Sequence, residues 1–277
     1  ASDLLQFESS VNLSNSNYRG TIGNGAFINS PYWSAQFIPP TVSAYNEFGD
    51  EESGFNFTPN STFSYNPIAQ EVLDTRNADV VRIIGNVAAN LDLPANFLAR
   101  SYAGVNFGDG QEAEYRNPTN PRYQGQGEGG VDGSLSVLGS RTLEFNLSQS
   151  LQWSNLLAEK HGFDALGVVE YRRGFEDDFN TRGIGFASDI LRTLASAAEP
   201  TTANSTKTEF RFLSFVGYSE YTYDNTYQVT GTLRYDGSSR FGEGNRFGLF
   251  GAVGAYARLS NLGPLRGSRL VNELKLR

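Results

Sequence analysis

The sequence has no cysteine and no methionine, contains a single histidine, His161, and lacks any long apolar run. Without cysteine there is neither a disulfide nor a thiolate metal site, and one histidine excludes a multi-histidine metal site or a histidine-based triad. No stretch approaches the roughly eighteen consecutive apolar residues of a membrane-spanning helix, which excludes a helical membrane protein. His161 stands beside Lys160 in a turn-like segment, and we interpret it as structural.

The charge balance is acidic, with a formal net charge of −8. A chain of this charge without a basic patch is unsuited to the phosphate backbone, so we expect no nucleic-acid partner. The first residues carry no export signal. We therefore expect an internal or processed piece of a longer chain.

What the sequence does contain is alternation between apolar and polar residues in long segments, rich in glycine and aromatics. From Tyr227 to Tyr235 the odd-numbered residues are mostly apolar and the even-numbered ones polar, and the alternation resumes from Phe247 to Leu259. A period of two predicts strands with two different faces. These strands would have about ten to fourteen residues, against about five or six in soluble sheets.

Short and long connections alternate between about nine such strands. The short ones fall near residues 92–96, 154–160 and 224–226, and the long ones near 18–78, 108–140 and 172–207, the last with a possible helix at Ala187–Ala198. Aromatic residues stand near strand ends: Trp153, Tyr171, Tyr221, Tyr223, Tyr227 and Tyr235. This pattern is typical of an outer-membrane barrel with short periplasmic turns, long extracellular loops and aromatic girdles. We predict an all-β fold, an antiparallel transmembrane β-barrel segment.

Several motifs carry a family resemblance. The stretch YDGSSRFGEGNRFGLF at 235–250, followed by VNELKLR at 271–277, resembles the barrel signature of the SusC-like or RagA-like TonB-dependent outer-membrane transporters. In chain order, NPIAQ at 66–70, RIIGN at 82–86, KHGFDALGVVEY at 160–171 and FLSFVGYSEYTYDNTY at 212–227 are similar to other recurrent features of that family. The signature positions are Asp236, Gly237, Ser238, Ser239, Arg240, Phe241 and Gly242. The chain departs from the family at Gly251, where proline is common, and at Ala257, where tryptophan is common.

The resemblance implies a large, 22-stranded barrel in the outer membrane, plugged by an N-terminal domain and energised by TonB. It further implies a SusD-like surface lipoprotein that captures glycans or peptides for import. Residues 1–277 would be part of a single barrel domain in outer-membrane lipid, without the plug or the C-terminal strands. The implied protein is not an enzyme and needs no cofactor.

Candidate binding residues are polar positions that would face the barrel lumen. Five of them are candidates for contact with substrate: Arg82, Glu144, Gln152, Arg234 and Arg258. The acidic runs Asp50–Glu52 and Glu176–Asp178 lack the spacing of a calcium loop and are interpreted as solvated loops, so we predict no metal site. The GQGEGG stretch at 125–130 lacks the lysine and the strand-to-helix context of a phosphate-binding loop.

Two other functions remain open from the sequence. One is a surface-assembly or scaffold barrel whose long loops dock partners and which does not transport. The other is a secreted β-sandwich binding module, which predicts strands of about five or six residues with polar residues on every outer face.

Overall fold

The chain folds into one antiparallel sheet whose strands follow each other in chain order. The computed structural model describes residues 4–22, 31–46, 54–56, 66–120, 133–242, 244–266 and 271–277. Within these ranges there are nine strands: β1 Leu5–Gly20, β2 Thr75–Leu93, β3 Phe97–Arg116, β4 Ser134–Leu157, β5 His161–Phe186, β6 Ala197–Tyr223, β7 Tyr227–Ser238, β8 Phe247–Arg258 and β9 Lys275–Leu276. Two short helices, α1 Pro31–Phe37 and α2 Pro67–Leu73, lie between β1 and β2. The prediction of an all-β, antiparallel sheet of about nine strands is confirmed.

The strands are longer than the sequence predicts, and the long loops are correspondingly shorter. Residues 108–116 and 134–140 extend β3 and β4, while 172–186 and 197–207 extend β5 and β6. The loop predictions are therefore wrong over about half of 108–140 and over most of 172–207. The glycines and charges of these segments resemble a loop locally, but the charged residues pair across neighbouring strands.

Two smaller predictions also fail within these segments. A helix at Ala187–Ala198 is wrong, because the structure has only the 3₁₀ turn Leu194–Ser196 there and β6 begins at Ala197. The acidic run Glu176–Asp178 lies inside β5 and not in a loop. Asp50–Glu52 and the stretch 125–130 lie outside the described residues.

The three short turns are confirmed and have the same length. Each leaves three residues between a closing cross-strand pair, for example Leu157 with His161 and Tyr223 with Tyr227. Ala158 and Glu159 in one turn, like the Asp224–Asn225 pair in another, have positive φ at both central positions. Two successive positive φ values are the type I′ conformation, which matches the right-handed twist of paired strands.

A soluble β-sandwich does not agree with these strand lengths. Seven consecutive strands, β2 to β8, have between 12 and 27 residues each. Sandwich strands are far shorter, at about five or six residues.

The buried core lies at the end of the sheet opposite the short turns. There Tyr115, Leu135 and Phe186, from β3, β4 and β5, pack together with Ala113, Val137 and Ala197 around them. Helix α2 packs against α1 at the same end, and Ala69 and Gln70 of α2 are buried. We call this end the cap end.

Candidate membrane-facing and lumenal surfaces

One face of the sheet carries an exposed apolar band. Side chains of one parity in each strand share this face, and over the band on β1 to β8 they are the odd-numbered ones. On four strands the band runs over Phe97–Phe107, Leu143–Trp153, Leu213–Tyr223 and Phe247–Ala257. Each stretch is about eleven residues long, which is the length a tilted strand needs to cross the hydrocarbon core.

The residues of the band are large, apolar and open to their surroundings. Val253 is 85% exposed and Leu249 65% exposed. Polar members of the band are paired: Ser101 donates a hydrogen bond of 2.6 Å to Oε1 of Gln149, directly opposite. Contiguous exposed apolar surface on this scale is typical of contact with lipid or protein.

Aromatic side chains line the band at the short-turn end, and we call them the aromatic rim. Ring centroids are 6.3 Å apart for Phe97 and Trp153, 6.4 Å for Trp153 and Phe163, and 4.9 Å for Phe163 and Tyr221. Nδ1 of His161 shares a hydrogen bond of 2.8 Å with the hydroxyl of Tyr221. His161 thus belongs to the rim, where amphipathic rings favour a membrane interface.

Charged side chains line the band at its other end, and we call them the charged rim. Asp109, Arg141, Asp177 and Lys207 face one another in a single row across β3 to β6, with alternating sign. Nη2 of Arg141 lies 2.7 Å from Oδ2 of Asp109, and Nζ of Lys207 lies 3.4 Å from Oδ1 of Asp177. Exposed pairs of this kind add little stability. Their consequence is to end the apolar band.

Both ends of the band shift together along the sheet. At the charged rim, the band ends at Leu143 on β4 but at Leu213 on β6. Leu213 lies in the same cross-strand row as Leu147 of β4. At the short-turn end, the band ends at Trp153 on β4 but at Tyr223 on β6. Tyr223 lies in the same cross-strand row as Leu157 of β4. Between β4 and β6 the shift is about four residues at either end, so the band keeps its width while crossing these strands obliquely, whereas its limits stay level from β3 to β4 and from β6 to β8. An oblique band is expected where strands tilt relative to a barrel axis.

The opposite face carries the five predicted lumenal residues. Arg82, Glu144, Gln152, Arg234 and Arg258 are all even-numbered and lie on this face, distributed over β2, β4, β7 and β8. The sheet does not gather them at one place.

Four of these five side chains have polar partners nearby. Nη2 of Arg172 donates to Glu144 at 2.8 Å, Arg234 donates twice to Asp236 at 3.2 Å, Gln152 donates to Ser154, and Arg258 lies 3.6 Å from Glu273. Arg82 has no such partner in the described part of the chain and is exposed.

The same face also carries a polar network that no sequence motif predicts. The hydroxyl of Tyr102 donates to Oδ1 of Asn86 at 2.6 Å, and Glu8 accepts from Asn90 at 3.3 Å while lying 3.7 Å from Arg100. These residues come from β1, β2 and β3. Their even numbering places them on this face, but only the strand register brings them together.

The signature residues Asp236–Gly242 tie the end of β7 to its neighbours. The backbone N–H of Ser239 donates to the carbonyl of Arg211 at 3.0 Å, and its hydroxyl accepts from the Arg211 N–H at 2.9 Å. The Ser238 hydroxyl accepts from the N–H of Arg240, whose guanidinium lies 4.7 Å over the Phe210 ring. These contacts give the signature a structural role in closing the β7–β8 hairpin on β6.

A buried carboxylate organises the cap end. Asp74 follows α2, and its side chain accepts from the backbone N–H of Asn117 at 2.9 Å and from Nδ2 of Asn120 at 3.0 Å. These bonds fasten the segment after β3 to the start of β2. Nearby, burial raises the pKa of the Tyr115 phenol, and the Arg192 guanidinium over its ring opposes this rise.

Two features are absent from the residues that the structure describes. These residues contain no cluster of three or more side chains able to hold a metal ion. None of their helices is long and apolar enough to cross a membrane.

Known proteins are similar to this chain in sequence and in fold. No family model matches it. A TonB-dependent receptor of Formosa agariphila is 26% identical over 249 residues, covering 89% of this chain and 25% of the receptor. The RagAB peptide transporter matches with a TM-score of 0.70 at 20% identity, covering 94% of this chain and 29% of the transporter chain. The RagAB peptide importer in its open-open state matches with a TM-score of 0.72.

These matches confirm the resemblance that the sequence motifs indicate, at the level of a TonB-dependent receptor and the RagAB fold. The matched proteins are named as a receptor and a transporter and not as enzymes, in agreement with the absence of a predicted catalytic role. The chain spans between a quarter and a third of the length of the proteins it matches.

Proposed function

We infer that this chain, which has the RagAB fold and a TonB-dependent receptor as relative, forms part of the barrel wall of a TonB-dependent outer-membrane transporter. The observation that carries the inference is the apolar band: it keeps a membrane-spanning width across the sheet and is bounded by an aromatic and a charged rim. A lipid-facing surface needs this arrangement, and a soluble module does not.

We propose that the whole protein imports peptides or oligosaccharides with a SusD-like lipoprotein. The similarity to a peptide importer supports this cargo class, as does an inner face with side chains of both charges. Arg82 and the other four candidates would contact cargo from the wall. Arg82 is the candidate most open to a new polar contact, because the other four already have polar partners in the described residues.

The sheet has two edges, so the wall needs neighbours. β1 pairs only with β2, and β8 meets β9 through two residue pairs in the described part of the chain. Unpaired backbone groups in lipid cost several kcal/mol each, so strands elsewhere in the protein would close the barrel, 22-stranded by resemblance to its relatives. The plug and the TonB contact belong to those other parts.

The orientation follows from the asymmetry of the connections. The three-residue turns would lie in the periplasm, and the cap end with its longer connections would face outward.

Uptake assays with the full-length protein test the proposal. Cells that carry the gene should take up labelled peptides or oligosaccharides, whereas gene deletion or TonB depletion should abolish uptake of one of these classes. Equal uptake in all three strains would overturn the proposed transport function. If uptake is unchanged while a surface complex is lost on deletion, the scaffold barrel is the correct function.

A further inference from the structure

Two arginines stand together on the membrane-facing surface beside the charged rim. Arg173 and Arg211 face each other directly across β5 and β6, at the outer end of the apolar band. Like charges directly opposite each other destabilise a sheet unless a counter-charge joins them. The counter-charge is Glu209: its Oε1 lies 2.8 Å from Nε of Arg173 and 2.6 Å from Nη2 of Arg211. Two cations on one carboxylate leave an excess of one positive charge.

The pair also retains unused hydrogen-bond donors. A guanidinium has five N–H groups, and within the described residues the two Nη groups of Arg173 donate to no acceptor. The side chains are 37% and 54% exposed, so an incoming group has access to them. Planar guanidinium groups match the oxygens of a phosphate in a bidentate geometry.

A shallow apolar furrow begins two cross-strand rows further into the band, at Val169 and Phe215. Its floor is Gly167 opposite Gly217, and a Cβ added at either position meets no atom within 4 Å. Leu151, Val169, Phe215 and Tyr235 form its sides. A second depression over Gly231 and Gly251 continues it towards the short-turn end. Tyr171 and Leu213 join the furrow to the arginine pair, because they occupy the row between them.

We propose that this surface is a specific site for one phosphate-bearing lipid, with the phosphate on Arg173 and Arg211 and an acyl chain along the furrow. The proposal rests on the proposed function, because the band must face lipid. Charge complementarity selects the headgroup, and the continuous apolar path below the arginines selects a lipid over free phosphate. A free phosphate ion would contact the arginines and leave the furrow bare.

The test uses the full-length protein in detergent and measures lipids retained after delipidation by native mass spectrometry. The probes are dioleoyl phosphatidic acid, dioleoylglycerol as the matched lipid without phosphate, and inorganic phosphate as competitor. We expect retention of phosphatidic acid over dioleoylglycerol and about tenfold weaker retention in the Arg173→Gln/Arg211→Gln variant, since charge-assisted bonds are removed. Gly217→Phe, which fills the furrow and leaves all charges in place, should also weaken retention.

Arg100→Gln is the control, because it removes one guanidinium from the lumenal face, away from the furrow, and should retain phosphatidic acid like the unchanged protein. The proposal is overturned if the double variant binds as before, if Arg100→Gln loses as much, or if millimolar inorganic phosphate displaces the lipid. Circular dichroism confirms that each variant is folded. Cargo uptake by the same variants separates the two proposals, since lipid retention and uptake are measured independently.

Discussion

Tyr115 is the most buried large side chain at the cap end, with 2% of its surface exposed. Its ring meets Phe186 edge to face at 5.5 Å and lies under the Arg192 guanidinium at 4.7 Å. Its hydroxyl is buried without a hydrogen-bond partner in the described residues. The ring therefore contributes the stabilisation at this position, while the hydroxyl adds only a desolvation penalty.

We predict opposite outcomes for two substitutions at this residue. Tyr115→Phe should leave the free energy of unfolding unchanged or raise it by about 1 kcal/mol, because an unsatisfied buried group is removed. Tyr115→Ala should lower it by about 3–5 kcal/mol through the cavity left behind. Denaturant unfolding of the full-length protein in bilayers measures both. A clear loss of stability in Tyr115→Phe would show that the hydroxyl does have a hydrogen-bond partner.

Three phenylalanines lie over glycines directly opposite them in the neighbouring strand: Phe179 over Gly139, Phe210 over Gly174 and Phe247 over Gly237. A Cβ built on Gly139 would come within 2.1 Å of the Phe179 ring, and one on Gly174 within 2.3 Å of Phe210. The ring covers backbone that a glycine otherwise exposes, which stabilises the sheet.

Alanine at one of these glycines should be destabilising. Gly139→Ala should lower the free energy of unfolding by about 1–3 kcal/mol, because the Phe179 ring must move. Gly167→Ala is the control, since its Cβ would meet open space, and it should change stability little. Denaturant unfolding of the two variants in parallel decides the point, and equal losses would show that the ring contact is irrelevant.

At the scale of the strand, parity decides which face of the sheet a residue occupies, and in the proposed wall it therefore decides which residues meet lipid. Neighbouring positions of β8 differ in this respect: Val253 lies in the middle of the apolar band and Ala252 on the lumenal face. Lysine at the bilayer midplane costs about 2–4 kcal/mol on the lipid side. The same substitution one position away should be tolerated.

We therefore expect Val253→Lys to destabilise the folded protein in bilayers by about 2–4 kcal/mol and Ala252→Lys by less than about 1 kcal/mol. Unfolding titrations in lipid vesicles give both values. A larger loss for Ala252→Lys than for Val253→Lys would reverse the assignment of the two faces.

The faces and the short turns were predictable from sequence, because alternation and turn residues are local signals. The ends of the strands were not. Arg141 lies between Asp109 and Asp177 only because β3, β4 and β5 pair in one register. Along the sequence alone, each of these charged residues resembles a loop residue.

The candidate surfaces divide in the same way. Parity alone placed Arg82 and Arg234 on the face opposite the apolar band. The furrow depends on pairing Gly167 with Gly217, which are far apart in sequence, and no local pattern predicts that pairing.

At the scale of the molecule, the two ends of the sheet differ in build. Tight turns close one end, and the other carries helices, the buried Asp74 and the only described hydrophobic core cluster. If the sheet spans the outer membrane as proposed, only one of these ends is accessible from outside the cell.

Cysteine labelling on intact cells tests this orientation, with the full-length protein free of other exposed cysteines as background; residues 1–277 contain none. Ile190→Cys, at a cap-end position that is 84% exposed, should react with a membrane-impermeant maleimide. Glu159→Cys, in a short turn, should react only after the outer membrane is permeabilised. Labelling of Glu159→Cys on intact cells would mean that the sheet is inserted the other way.

The extension of β5 and β6 beyond the charged rim determines how far the cap end stands from the lipid. From Asp177 to Phe186 the strand continues for about ten residues, which at about 3.3 Å each and a tilt near 45° is a rise of roughly 20–25 Å. The pairing of β5 with β6 keeps this hairpin stiff. If the sheet spans the outer membrane as proposed, the connection at 187–196 is carried clear of the lipid headgroups, where it is open to molecules too large to approach the membrane surface itself.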